Sequence, residues 1–215
     1  MSWARGYLLD EHGIKTTDVG WFVSGKEVYI ANELPVIVER LEPPPPFGQE
    51  KPHLAKLVGE GTLGAALVAG DSGYPGLFGG GVLPDVMGKV AGVKPLFEDT
   101  DDIIRYVKRT QIYPIIHIMT IKEETVERYP DLAAKLIEAF REANRLAPKY
   151  FKNGDAEGYA KERDVLGYDP YACVLTESDK KSIQALNRYQ IEQGLVKKEL
   201  PLESLFVKEA FRKNG

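Results

Sequence analysis

Two side chains in this chain of 215 residues sit where their chemistry stands out, Arg5 and His117. Arg5 falls in the first turn of an expected opening helix. There a guanidinium and free backbone N–H groups can converge on a carboxylate; the other reading is a solvated helix arginine. His117 interrupts an apolar run from Ile112 to Ile121. Imidazole titrates near neutrality, so His117 is either a proton donor or a core histidine held by a backbone carbonyl. Ser2 either binds a carboxylate oxygen or caps the first helix. Trp3, Tyr7 and Tyr113 are either aromatic walls for a ring ligand or ordinary packing. Carboxylate binding and proton transfer are the chemistry on one side of these alternatives; helix capping and ordinary packing are the other.

Other chemistries find less support. His12, His53 and His117 lie far apart with no local metal-ligand spacing, so no metal site is expected. Cys173, the single cysteine, excludes an internal disulfide framework and has no basic neighbour to activate it. The glycine-rich stretch around Gly79-Gly80-Gly81 lacks a phosphate-loop signature: Gly88-Lys89 is followed by Val90, which has no hydroxyl for magnesium. It reads as a loop bordering a cleft, and no cofactor is expected. A net charge of −4 gives no electrostatic reason to expect nucleic acid or an anionic membrane. No apolar run approaches the ~20 residues of a membrane span, and no signal peptide is visible. The expected setting is cytosolic, or periplasmic if a leader precedes the chain.

The elements that would position these residues follow from periodicity. Trp3 to Glu11 has helical spacing and Gly13 stops it. Short strands are expected at Val19–Val23, Val28–Ile30 and Val36–Val38, then the stiff tetraproline Pro43–Pro46. That tract is a rigid loop or a ligand for a proline-recognising domain. A short helix follows His53, a buried strand Ala65–Ala69, and a helix Asp102–Lys108 whose acidic start suits its dipole. The run Ile112–Ile121 reads as a strand covered on both faces, as parallel strands are. Pro130 opens the most regular amphipathic helix, with Leu132, Leu136, Ile137, Phe140, Ala143 and Ala147 on one face. Helices are expected at Asp155–Leu166, Glu177–Gln193 and Leu202–Arg212. The class is α/β, with too few strands after Ile112 for a separate sheet.

Three segments resemble the 4,5-dihydroxyphthalate decarboxylase family, a branch of the type II periplasmic-binding-protein superfamily. Trp3-Ala4-Arg5-Gly6-Tyr7-Leu8-Leu9-Asp10-Glu11-His12-Gly13-Ile14 is similar to its W-x-R-G-x-L-x-(D/E)-E-(Y/H)-G-(V/I) segment, and Trp21 falls where a tryptophan follows. Gly61-Thr62-Leu63-Gly64-Ala65 resembles G-E-(I/L)-D-A, departing at Gly64, where aspartate is usual. Arg109-Thr110-Gln111-Ile112-Tyr113-Pro114-Ile115-Ile116-His117 resembles R-T-G-(I/F)-(Y/F)-P-(I/M)-(M/I)-H. The resemblance implies a two-lobed α/β fold closing on a ligand. Residues 1–111 would be lobe two, nearly complete. Residues 112–215 would be the return strand and the helical C-terminal part of lobe one. The N-terminal part of lobe one is absent from the matching pattern, so a second copy or a partner chain is expected to supply it.

The activity the resemblance implies is loss of carbon dioxide from a hydroxylated aromatic acid in aromatic catabolism. Arg5, with Ser2, Trp3, Tyr7 and Tyr113, would hold the substrate, and His117 would supply the proton. A ring hydroxyl provides the electron push, so neither pyridoxal nor thiamine is required. The alternatives are a solute-binding protein of an uptake system, which grips a small carboxylate without catalysis, and a degenerate fragment with neither activity. Fold does not choose among them.

Overall fold

The computed structural model describes residues 2–23, 38–46, 50–66, 90–93, 100–152 and 155–211. The chain forms two compact units. The first runs to Thr100 but omits a short stretch after Gly73, and takes back Tyr189–Lys197; the second holds Asp101–Arg188 and the residues from Lys198 onward.

The first unit opens with helix α1, Ser2–His12. It ends where Gly13 turns left-handed at φ 67° and donates its N–H to the Leu9 carbonyl, 2.9 Å away; glycine adopts that conformation without steric cost. A single 3-10 turn, Thr16–Asp18, leads to strand β1, Trp21–Val23. Strand β2, Val38–Arg40, pairs with it in parallel, Trp21 opposite Val38 and Val23 opposite Arg40. Helix α2, Glu50–Gly59, buries Ala55 completely. Gly59 at its end lies so close to Val90 that a side chain there would overlap it. Pro45, inside the tetraproline, is buried, which favours the structural loop over an exposed ligand for another domain. The last piece of this unit is Tyr189–Lys197.

The second unit is helical among the described residues. It contains most of α3, Thr100–Thr110, then α4, Glu123–Arg128, α5, Leu132–Leu146, α6, Asp155–Leu166, and α7, Glu177–Glu192, up to Arg188. A short α8, Leu202–Leu205, and a 3-10 turn, Lys208–Phe211, finish it. Its buried apolar residues are Tyr106, Val107, Ala133, Val165, Leu166, Ile183 and Ala185. Glu162 and Ser182 are buried with them.

Several expectations are corrected here. Residues 111–122 form no strand. Ile116 is 74% exposed, Ile118 64% and Met119 57%, and His117 is exposed as well. A strand needs a neighbour for its N–H and C=O groups, and among the described residues none runs beside this segment. Apolar composition here marked an exposed irregular segment, not a buried strand. In α5 the apolar face is only partly covered: Phe140 is 45% exposed, and the buried residue is Ala133. Periodicity identifies an apolar face but not what packs on it. The tail is not one helix, because Phe206 leaves the helical region at φ −129°, ψ 149°, and the Leu175 N–H instead bonds the Ala210 carbonyl at 2.8 Å. The expected strand Val28–Ile30, most of Ala65–Ala69 and most of the glycine-rich stretch lie outside the described residues.

Candidate functional site

Arg5 is half-buried in the first unit, against Trp21. The indole N–H of Trp21 donates to the Thr16 carbonyl at 2.8 Å, fixing the ring at the start of β1. The Arg5 guanidinium lies over that ring, 4.1 Å from its centroid, a cation–π contact. Burial lowers the Arg5 pKa from its ordinary value, yet guanidinium stays charged at neutral pH. No carboxylate pairs with it among the described residues, and its Nε is buried without a hydrogen-bond partner. A desolvated cation with an orphaned donor is energetically incomplete, and an anion would complete it.

The remaining sequence-expected residues of α1 are placed by its contact with the end of α7. Gly6 is buried against Tyr189, leaving no room for a side chain. Trp3 meets Tyr189 edge-on at 6.0 Å and 81°, and Tyr189 donates its hydroxyl to Asp10 at 2.5 Å. Ser2 is itself the first helical residue rather than the residue before the helix. Its carbonyl accepts from the Gln193 side-chain amide at 3.1 Å. Tyr7 points its ring at His12, 5.7 Å away. Ser2, Trp3, Arg5 and Tyr7 thus share one unit, and Tyr7 faces His12 rather than Trp3.

Tyr113 and His117 belong to the other unit. Tyr113 is a structural anchor. Its N–H donates to Ser182 Oγ at 2.9 Å and its hydroxyl donates to Glu162. Tyr171 also donates to Glu162, at 3.2 Å, so the buried carboxylate gathers two phenols. Tyr159 stacks on Tyr171 at 5.5 Å and donates to Asp169 at 3.0 Å. Burial, reinforced by the neighbouring Glu162 carboxylate, pushes the Tyr171 pKa far above the usual phenol range. Arg141 holds the turn beyond by donating to the Ala172 carbonyl at 3.1 Å. Burial also raises the Cys173 pKa, as an unreactive thiol requires. His117 has no hydrogen bond to any of these groups.

Sequence reasoning passed over Glu162, Ser182, Tyr189 and Gln193. Glu162 is in helical phase with the buried Val165 and Leu166, and Gln193 with the buried Ala185 and Tyr189. Polar residues in phase with an apolar stripe are the signal that marks them. Among the described residues no group of three or more histidine, cysteine or acidic side chains gathers to hold a metal ion. No helix among them is long and apolar enough to cross a membrane.

The class defined so far is a mixed protein, mainly helical with a small parallel sheet, carrying a desolvated arginine on an indole platform. In sequence it is similar to a 4,5-dihydroxyphthalate decarboxylase from Comamonas testosteroni, 24% identical over 156 residues, 67% of this chain and 41% of that protein. The chain thus spans under half the length of this relative. No protein-family model matches the sequence.

Proposed function

We propose that this chain binds a hydroxylated aromatic carboxylic acid through Arg5 and acts on it as a decarboxylase-like protein. The observation that carries the proposal is the Arg5 guanidinium, desolvated, unpaired and stacked on Trp21. The distant likeness to a decarboxylase named for such an acid supports it. In this reading a ring hydroxyl pushes electron density onto the carboxyl-bearing carbon, which takes a proton from His117. The carbon–carboxylate bond then breaks, its electron pair returns to the ring, carbon dioxide leaves, and His117 recovers a proton from water. Ser2, Trp3 and Tyr7, which share the first unit with Arg5, are the ligand contacts this reading expects, and Tyr113 is a further one.

The architecture that accompanies this reading is the type II periplasmic-binding-protein-like one. Residues 1–111 then form lobe two, residues 112–215 an irregular return segment and the C-terminal part of lobe one, and the setting is the cytosol. A second copy covers the apolar surface at Ile116, Ile118 and Met119, so light scattering should report a dimer.

One observation favours a second reading. His117 lies exposed on an irregular segment, where a proton donor is not excluded from water, and a solute-binding protein needs no such donor. Calorimetry with 4,5-dihydroxyphthalate, followed by a carbon dioxide assay, separates the two. Binding lost in Arg5→Met, with turnover falling by roughly 100-fold or more in His117→Ala, supports the decarboxylase. Binding without turnover supports the solute-binding protein. No binding by the wild-type chain refutes both.

A further inference from the structure

A second polar atom in the first unit is as incomplete as Arg5 Nε. Gln193 is only 4% exposed, and its Oε1 is buried with no hydrogen-bond donor. The orientation of the amide is fixed, because its nitrogen donates to the Ser2 carbonyl at 3.1 Å; turned over, it would set oxygen against oxygen. The backbone N–H of Gln193 is used by the Tyr189 carbonyl at 2.9 Å, so the residue is held at both ends. The side-chain oxygen alone is left over.

Its position relates it to Arg5. The Gln193 amide is anchored on Ser2, and Arg5 follows Ser2 by three positions on α1, a rise of about 4.5 Å. The residue after Arg5, Gly6, packs closely on Tyr189 and holds the two helices together there. A buried donor on Arg5 and a buried neutral acceptor on Gln193 are thus both left unpaired in the same unit. Buried polar groups are normally paired, and those that are not ask for a missing partner.

We propose that Gln193 Oε1 is a specificity acceptor for a hydroxyl group of the ligand whose carboxylate pairs with Arg5. The inference rests on the carboxylate-binding reading and adds a residue to it. A site that hydrogen-bonds a substrate hydroxyl rejects the analogue lacking it, because the buried acceptor is then stranded. Gln193 thus selects hydroxylated acids over equally charged, unhydroxylated ones.

The test is calorimetric titration of the whole chain with phthalate, 4,5-dihydroxyphthalate and 4,5-dimethoxyphthalate. The dimethoxy acid keeps the oxygens but has no proton to donate. The wild-type chain should bind the dihydroxy acid about tenfold or more tightly than either of the others. In Gln193→Met that preference should fall to within about twofold, the dihydroxy acid losing more affinity than phthalate. In Arg5→Met all three acids should weaken together. Equal binding of the three acids by the wild-type chain overturns the role of Gln193 and leaves Arg5 as a carboxylate holder. So does a uniform loss in Gln193→Met, which marks a structural glutamine. Failure of the wild-type chain to bind any of them overturns the carboxylate reading and this inference with it. If Gln193→Met does not fold, Gln193→Asn, which draws the acceptor back by one methylene, is titrated instead, and an unchanged hydroxyl preference there overturns the role of Gln193.

Discussion

Replacing Gly6 by alanine sets two effects of opposite sign against each other. Helix propensity alone favours alanine by about 1 kcal/mol in a helix interior. Against it, the new methyl would overlap Cγ, Cδ2 and Cε2 of Tyr189. That ring has no slack. It is 0% exposed, Trp3 stands edge-on to it, and Asp10 holds its hydroxyl. The strain must therefore push α1 away from the end of α7. Overpacking of this kind costs about 1–3 kcal/mol. The same separation stretches the bond from Gln193 to the Ser2 carbonyl, worth about 1 kcal/mol. The clash wins, and Gly6→Ala should destabilise by about 1–3 kcal/mol. In urea denaturation followed by circular dichroism, the midpoint should fall by roughly 1 M with the slope unchanged. Gly64→Ala is the control. Nothing lies within 4 Å of an added side chain there, and its midpoint should stay put. An unchanged or raised midpoint in Gly6→Ala would mean that propensity governs the site and that the close helix approach is wrong.

Three further outcomes are expected. Ser182→Ala removes the acceptor for the Tyr113 N–H at a fully buried position, and should cost about 1–3 kcal/mol in the same denaturation experiment; a loss below about 0.5 kcal/mol would show that water replaces the hydroxyl. Gln111 holds a left-handed backbone, φ 60°, while its N–H closes α3 on the Val107 carbonyl at 2.8 Å. Gln111→Gly relieves that strain and should raise the midpoint by the equivalent of about 0.5–1 kcal/mol, where a fall would refute it. Burial raises the pKa of Tyr159, Tyr168 and Tyr171 in the folded chain. Between the unfolded value near 10 and the raised folded values, the folded state binds more protons than the unfolded one. Stability contributed by these phenols is thus complete below about pH 10 and falls as pH rises through the folded pKa values. Tyr171→Phe should flatten the alkaline decline measured by denaturation, and a decline as steep as wild type would remove Tyr171 from the account.

What the sequence determined by itself is what closes locally. The bounds of α6, Asp155–Leu166, matched their periodicity, and α1, α3 and α7 fell within a few residues of theirs, because helical hydrogen bonds join residues four apart and need nothing distant. β1 and β2 were legible in outline because each is short and bounded by turn residues. Arg5, Trp3 and Gly6 were visible as a pattern. The tertiary structure alone showed that Gly6 is there for Tyr189, that Trp21 carries Arg5, and that Gln193 closes on Ser2. Those partners come from β1 and from the end of α7, and sequence spacing holds no record of such contacts. The run around His117 is the clearest instance. Its residues have the composition of a buried strand, but burial belongs to a residue and its neighbours together, and here Ile116, Ile118 and Met119 stand exposed. Glu162 is the converse case, a charge that looks like surface until Tyr113, distant in sequence, and Tyr171, from the turn after α6, bring their hydroxyls to it.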